Sequence, residues 1–138
     1  MKRHIVVLAL FVTCASGFAT AADGVSGTLP APVGHVWSVT LAVLEQLGWE
    51  IDKADRGIGW ITTDSRKLEG ADYGVYAKGT RHRLRVILKD AGAGKTTVTV
   101  ERTLFKRERI LFIDNDEVLS TPDRSVEQSV LDAIGKGL

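Results

Sequence analysis

Residues 80–89 alternate with a period of two. Leu84, Val86 and Leu88 fall on one side; Arg81, Arg83 and Arg85 fall on the other, and Ile87 continues the arginine side. Such alternation marks a β-strand with one dry and one wet face. Ala91-Gly-Ala-Gly94 follows as a hairpin connection, rich in the residue that tolerates a left-handed backbone. Residues 95–104 then alternate again, with Val98 and Val100 inward and Thr97, Thr99, Glu101 and Thr103 outward. A hairpin with one apolar face must have that face covered, and this requirement constrains the rest of the chain.

Two segments have the spacing to provide the cover. In residues 33–47, Val33, Trp37, Thr40, Leu41, Leu44 and Leu47 share one broad helical face. Pro32 suits the first helical position, Gly48 suits the C-terminal cap, and Trp49 can fold back onto Leu44. Near the end, Thr121-Pro-Asp123 reads as a helix start, and Val126, Val130, Ala133 and Ile134 give that helix a stripe. Residues 25–29, 49–53 and 59–64 read as short strands, with Asp55-Arg-Gly57 as a turn. Residues 68–79 hold three glycines and two tyrosines and read as a loop. Residues 105–113 either extend the second hairpin strand or form an edge strand, and the role of residues 105–120 stays open. The expected order is (β)αββββα. It makes an α+β two-layer sandwich: an antiparallel sheet of four to five strands with two helices on one face.

The 138 residues divide into an expected signal peptide over residues 1–21 and a single α+β domain over residues 22–138. Met1-Lys-Arg-His is a basic start, residues 5–12 are apolar, and Ala19-Thr-Ala21 fits a small-x-small cleavage site. This predicts export to a bacterial periplasm with no transmembrane segment left after cleavage. The alternative is an outer-membrane lipoprotein anchored at Cys14, the only cysteine, which cleavage after Ala21 would otherwise remove.

The chain carries 18 basic and 17 acidic groups, and loss of Lys2 and Arg3 leaves 16 against 17. That balance does not call for nucleic acid. The charge is nevertheless segregated. Residues 66–109 hold 12 basic and 5 acidic groups, whereas residues 22–65 and 110–138 each hold 2 basic and 6 acidic. Basic strands paired against acidic flanks account for this, and so does an acidic partner.

No catalytic or metal site emerges. Gly92-Ala-Gly-Lys-Thr96 lacks the earlier glycine of a phosphate loop and precedes a strand, so it reads as a hairpin turn. Asp114-Asn-Asp-Glu117 lacks calcium-loop spacing and reads as a solvated loop. His35 and His82 without a mature cysteine make a poor zinc pair, and His82 reads as structural. No cofactor is implied. The candidate binding residues are Arg81, Arg83 and Arg85, projecting from one face about 7 Å apart. Glu101 on the facing strand pairs with one or two of them. Trp60 joins this face if Ile61 points inward, and Tyr73 and Tyr76 complete the set.

Leu47-Gly-Trp-Glu-Ile51, Asp55-Arg-Gly57, Gly59-x-Ile61-x-Thr63-Asp64, Arg83-Leu-Arg-Val86 and Thr97-Val-Thr-Val100 together resemble small bacterial envelope domains of the BamC (NlpB) type. That family is named for the lipoprotein of the outer-membrane β-barrel assembly complex. The resemblance covers residues 25–138 and implies a helix-grip-like α+β fold, a non-enzymatic envelope role and no catalytic residues. Two functions are therefore expected. One is an interaction or scaffold domain with an envelope protein partner, an acidic partner being the case that the arginine face favours. The other is a binder of a small apolar or lipid-like ligand, in a pocket between sheet and helices lined by Trp37, Trp49 and the tyrosines.

Overall fold

The computed structural model describes residues 24–138 except Pro122. The signal peptide, its cleavage site and Cys14 lie outside the described residues. The elements run β1 (Gly24–Leu29), α1 (Val33–Gln46), β2 (Ile51–Asp55), β3 (Trp60–Thr63), β4 (Arg66–Asp72), β5 (Ala77–Gly92), β6 (Lys95–Ile110), β7 (Ile113–Leu119) and α2 (Ser125–Lys136). The architecture is α+β: two helices on one large antiparallel sheet. No helix among the described residues is long and apolar enough to cross a membrane.

The alternating hairpin is the spine of the sheet. β5 and β6 are 16 residues each and pair along nearly their whole length. Leu84, Val86 and Leu88 lie beside Arg102, Val100 and Val98 on the helix side. The turn between the strands places Ala93 and Gly94 at φ 52° and 71°, the primed-turn geometry that follows the sheet's twist. Each long strand has two neighbours on its outer edge, one after the other. β3 and then β4 line β5, and β1 and then β7 line β6. One half of the sheet is thus β2-β3-β5-β6-β1, and the other is β4-β5-β6-β7.

The sheet has seven strands, which corrects the expected four to five. Both extra strands arise where composition suggested loops. The glycine-rich stretch of residues 68–79 contains most of β4 and the start of β5. Its glycines serve a close crossing rather than a break. Gly70 pairs with Gly79 across the ladder, and a Cβ on Gly70 would sit 2.1 Å from the Lys78 carbonyl oxygen. Gly70 also has φ 103°, a backbone open mainly to glycine. The acidic run 114–117 is not a solvated loop but the body of β7. Asp116 faces Arg107 at 2.8 Å and Asp114 faces Arg109 at 2.6 Å. Residues 105–110 extend β6. The basic segment is thus paired against the acidic flank over this half of the sheet.

The core lies between the helices and the helix side of the five-stranded half. α1 buries Val36, Trp37, Thr40, Val43 and Leu44. Its dry face is rotated from the expected one, since Leu47 stays exposed. The helix ends as anticipated: Gly48 adopts φ 81°, and the Trp49 amide donates to the Leu44 carbonyl at 2.9 Å, a Schellman-type stop. α2 starts later than expected, at Ser125, whose amide donates to the Asp123 carboxylate at 3.0 Å. Its buried stripe is Glu127, Val130, Leu131 and Ile134, with Val126 and Ala133 only half-buried.

Candidate functional site

The side of the sheet away from the helices is a hollow open to solvent, with a volume of about 720 Å³. Strand alternation populates it. Arg81, Arg83 and Arg85 descend from β5; Glu101, Thr103 and Arg107 come from β6; Thr62 comes from β3. The far wall is acidic and is built from Glu50, Asp52 and Asp64 around β2 and β3, with Lys53 beside them.

The three arginines do different things. Arg81 is tied down: its Nε and NH2 donate to the Ser65 hydroxyl and carbonyl, both at 2.8 Å. Arg85 donates from Nε to Glu101 at 2.7 Å and stacks over the Trp60 ring at 5.0 Å. Arg83 lies over the Phe105 ring at 5.5 Å and makes no ion pair among the described residues. Its guanidinium faces the hollow with all its N–H donors available to a ligand. Five cations line the hollow (Lys53, Arg81, Arg83, Arg85, Arg107) against four carboxylates (Glu50, Asp52, Asp64, Glu101). The positive floor and acidic wall suit an extended chain carrying carboxylates toward the floor and any base toward the wall.

Ile61 is fully buried and Trp60 is 41% exposed, so Trp60 joins the arginine face. Glu101 pairs with Arg85 alone of the three arginines. Tyr73 and Tyr76 do not join this site. They stand on the β4–β5 turn at the far end of the sheet, beside Arg109 and Ile110. Nor do they meet Trp37 and Trp49, which are packed into the core. The structure therefore does not bring together the residues expected to line a pocket between sheet and helices.

Sequence reasoning missed Phe105 and Arg107. Phe105 is buried on the arginine face, sandwiched between Arg83 and Arg107, whose guanidinium lies 5.3 Å from the ring. Continuing the count of two beyond Thr103 would have found both residues. Arg107 is held by Asp116, and its hydrogen bond is the main reason the Asp116 carboxyl sits below the usual carboxylate range.

A second polar cluster lies under the sheet, where the helices end. The Arg66 guanidinium lies 4.3 Å from the Trp49 ring, and Trp49 lies 4.8 Å from the His82 ring. His82 Nδ1 is 3.4 Å from Arg102, which donates to Glu127 at 2.9 Å. Burial, then the charges of Arg102 and Arg66, push the His82 pKa down from 6.5 to about 4. The unfolded chain takes up this proton near pH 6.5, and the folded chain does so only near 4. Between those values the unfolded state binds more protons, so stability falls as pH falls. The contribution is complete above pH 6.5 and declines by about 3 kcal/mol on reaching pH 4. Urea midpoints at pH 7 and pH 4.5 measure it. His82→Gln should flatten the difference, and an unchanged slope would assign it to other groups.

No family model matches the chain, and no curated protein matches it.

Proposed function

We propose that this chain is a non-enzymatic interaction domain of the bacterial cell envelope, exported to the periplasm or held at the outer membrane. Its open sheet face takes an extended acidic segment of a protein partner. The observation that carries this reading is Arg83. It sits mid-floor in a hollow of about 720 Å³ without a carboxylate of its own, between neighbours that are already engaged. A guanidinium grips a carboxylate with two parallel hydrogen bonds, and a partly enclosed site strengthens them. Trp60, exposed beside Arg85, adds the aromatic surface common at interface anchors, and buried Phe105 supports the guanidinium of Arg83 from beneath. The basic start and cleavage pattern of residues 1–21 support the envelope location, and the BamC-type resemblance supports a scaffold role, with outer-membrane assembly as its setting.

The test removes the donors without touching the core. Arg83→Ser with Arg85→Ser should shift the melting temperature by no more than about 3 °C, because exposed pairs contribute little. Capture of the partner from envelope extract should weaken about tenfold or more, and the difference should shrink as salt rises. A double variant that unfolds would make the arginines structural. One that retains every captured partner would remove this face from the function.

A further inference from the structure

The β6–β7 hairpin ends in a turn that ordinary turn chemistry does not explain. Its two central residues are Leu111 and Phe112, at φ 51° and 66°. Such turns favour Asn-Gly, because a Cβ strains the left-handed backbone. The strain is not offset by packing, since Leu111 and Phe112 are 62% and 74% exposed. The β4–β5 turn lies alongside, with the Phe112 amide donating to the Val75 carbonyl at 3.2 Å. One end of the molecule therefore displays Ile110, Leu111, Phe112, Ile113, Tyr73 and Tyr76, all more than half exposed. Together they leave on the order of 700 Å² of apolar surface in water, more than a monomer usually shows in one patch.

The charges just behind this cap are largely paired, three cations (Arg107, Arg109, Lys78) against four carboxylates (Asp72, Asp114, Asp116, Glu108). Arg109 pairs with Asp114 at 2.6 Å and Asp72 at 3.2 Å, and Arg107 pairs with Asp116 at 2.8 Å. Lys78 and Glu108 add one charge of each sign. Leu111 and Phe112 form the tip, Ile110, Ile113, Tyr73 and Tyr76 stand one level behind them, and the paired charges follow. We propose that this end docks on a lipid bilayer, with Leu111 and Phe112 entering the acyl boundary and Tyr73 and Tyr76 at headgroup level. The tip is a pair of adjacent hairpin turns with a small open hollow of about 210 Å³ beside Tyr73, Tyr76 and Ile110. Two copies meeting tip to tip would share only part of their caps, short of the ~800 Å² per partner of a stable interface. A fluid bilayer needs no matching concavity. A collar with its charges paired also suits zwitterionic lipid and predicts little dependence on salt. This surface is separate from the arginine hollow, so either can fail without the other.

The experiment is co-sedimentation of the purified protein with phosphatidylcholine vesicles at about 0.05 and about 0.5 M salt. The key variant is Leu111→Asn with Phe112→Gly, which installs the pair that the turn geometry prefers. The native protein should bind equally at both salts. The variant should melt no lower yet lose about tenfold or more in vesicle partitioning, whereas Arg83→Ser with Arg85→Ser should bind vesicles like the native protein. Several results would overturn the proposal: a native protein that stays in the supernatant, a tip variant that binds as well as native, or binding confined to anionic vesicles and abolished by salt. A native dimer in sedimentation velocity that the tip variant lacks would assign the cap to a second copy instead.

Discussion

Glu127→Gln should destabilise the domain by about 3–5 kcal/mol in urea unfolding, the range seen when one partner of a buried ion pair is removed. Glu127 is 1% exposed and Arg102 only 8%. They meet at 2.9 Å where α2 crosses β6, and Arg102 reaches His82 and the Asp123 carbonyl only at 3.4 Å and 3.5 Å. Gln keeps the size of the side chain but removes its charge, and the guanidinium is left buried without an anion. The control is the joint replacement Arg102→Met with Glu127→Leu. It removes both charges together and should recover most of the loss, since apolar groups of similar volume often match a buried pair. A double variant as unstable as Glu127→Gln would show that the pair contributes through geometry that apolar groups cannot copy.

Leu44→Ala should cost about 2–5 kcal/mol, a large share of the stability of a domain this size. Leu44 has no exposed surface and packs in the cluster with Val36, Trp49, Ile61 and Val86. The surrounding β-strands limit collapse into the cavity, so the transfer and cavity terms add. Leu47→Ala is the paired control. Leu47 is 42% exposed, and its truncation should change stability by less than about 1 kcal/mol. Equal losses at the two positions would mean that the dry face of α1 is misplaced.

The helix face shows where sequence periodicity succeeds and where it slips. Trp37, Thr40 and Leu44 were legible because helical spacing and hydrophobicity agree there. Leu47 was not, because the helix stops at Gln46 and Gly48 turns the chain away. The hairpin was legible because alternation over ten residues admits few alternatives, and it placed Arg81, Arg83, Arg85 and Glu101 on one face. β4 and β7 were hidden because composition argued against pattern. Glycine usually interrupts strands, yet Gly70 and Gly79 are needed where two backbones close in. Consecutive acids usually mean a loop, yet Asp114-x-Asp116 mirrors Arg107-x-Arg109 across a two-residue turn. Arg102 and Glu127 also left a trace. An arginine in the inward series Val98, Val100, Arg102 requires a buried acid, and Glu127 lies one residue after Val126 at the edge of the α2 stripe.

Whether the arginine hollow takes an acidic chain is read by a titration followed by backbone amide and indole NMR. The probe is a short poly-glutamate peptide added to the isotopically labelled protein at low salt. Binding in the hollow should shift Arg81, Arg83, Arg85, Thr103 and the Trp60 indole alone, with the Trp37 and Trp49 indoles unmoved and the shifts lost in the Arg83→Ser, Arg85→Ser variant. Shifts spread evenly over the basic surface, or centred on Lys78 and Lys106 at the far end of the sheet, would contradict it.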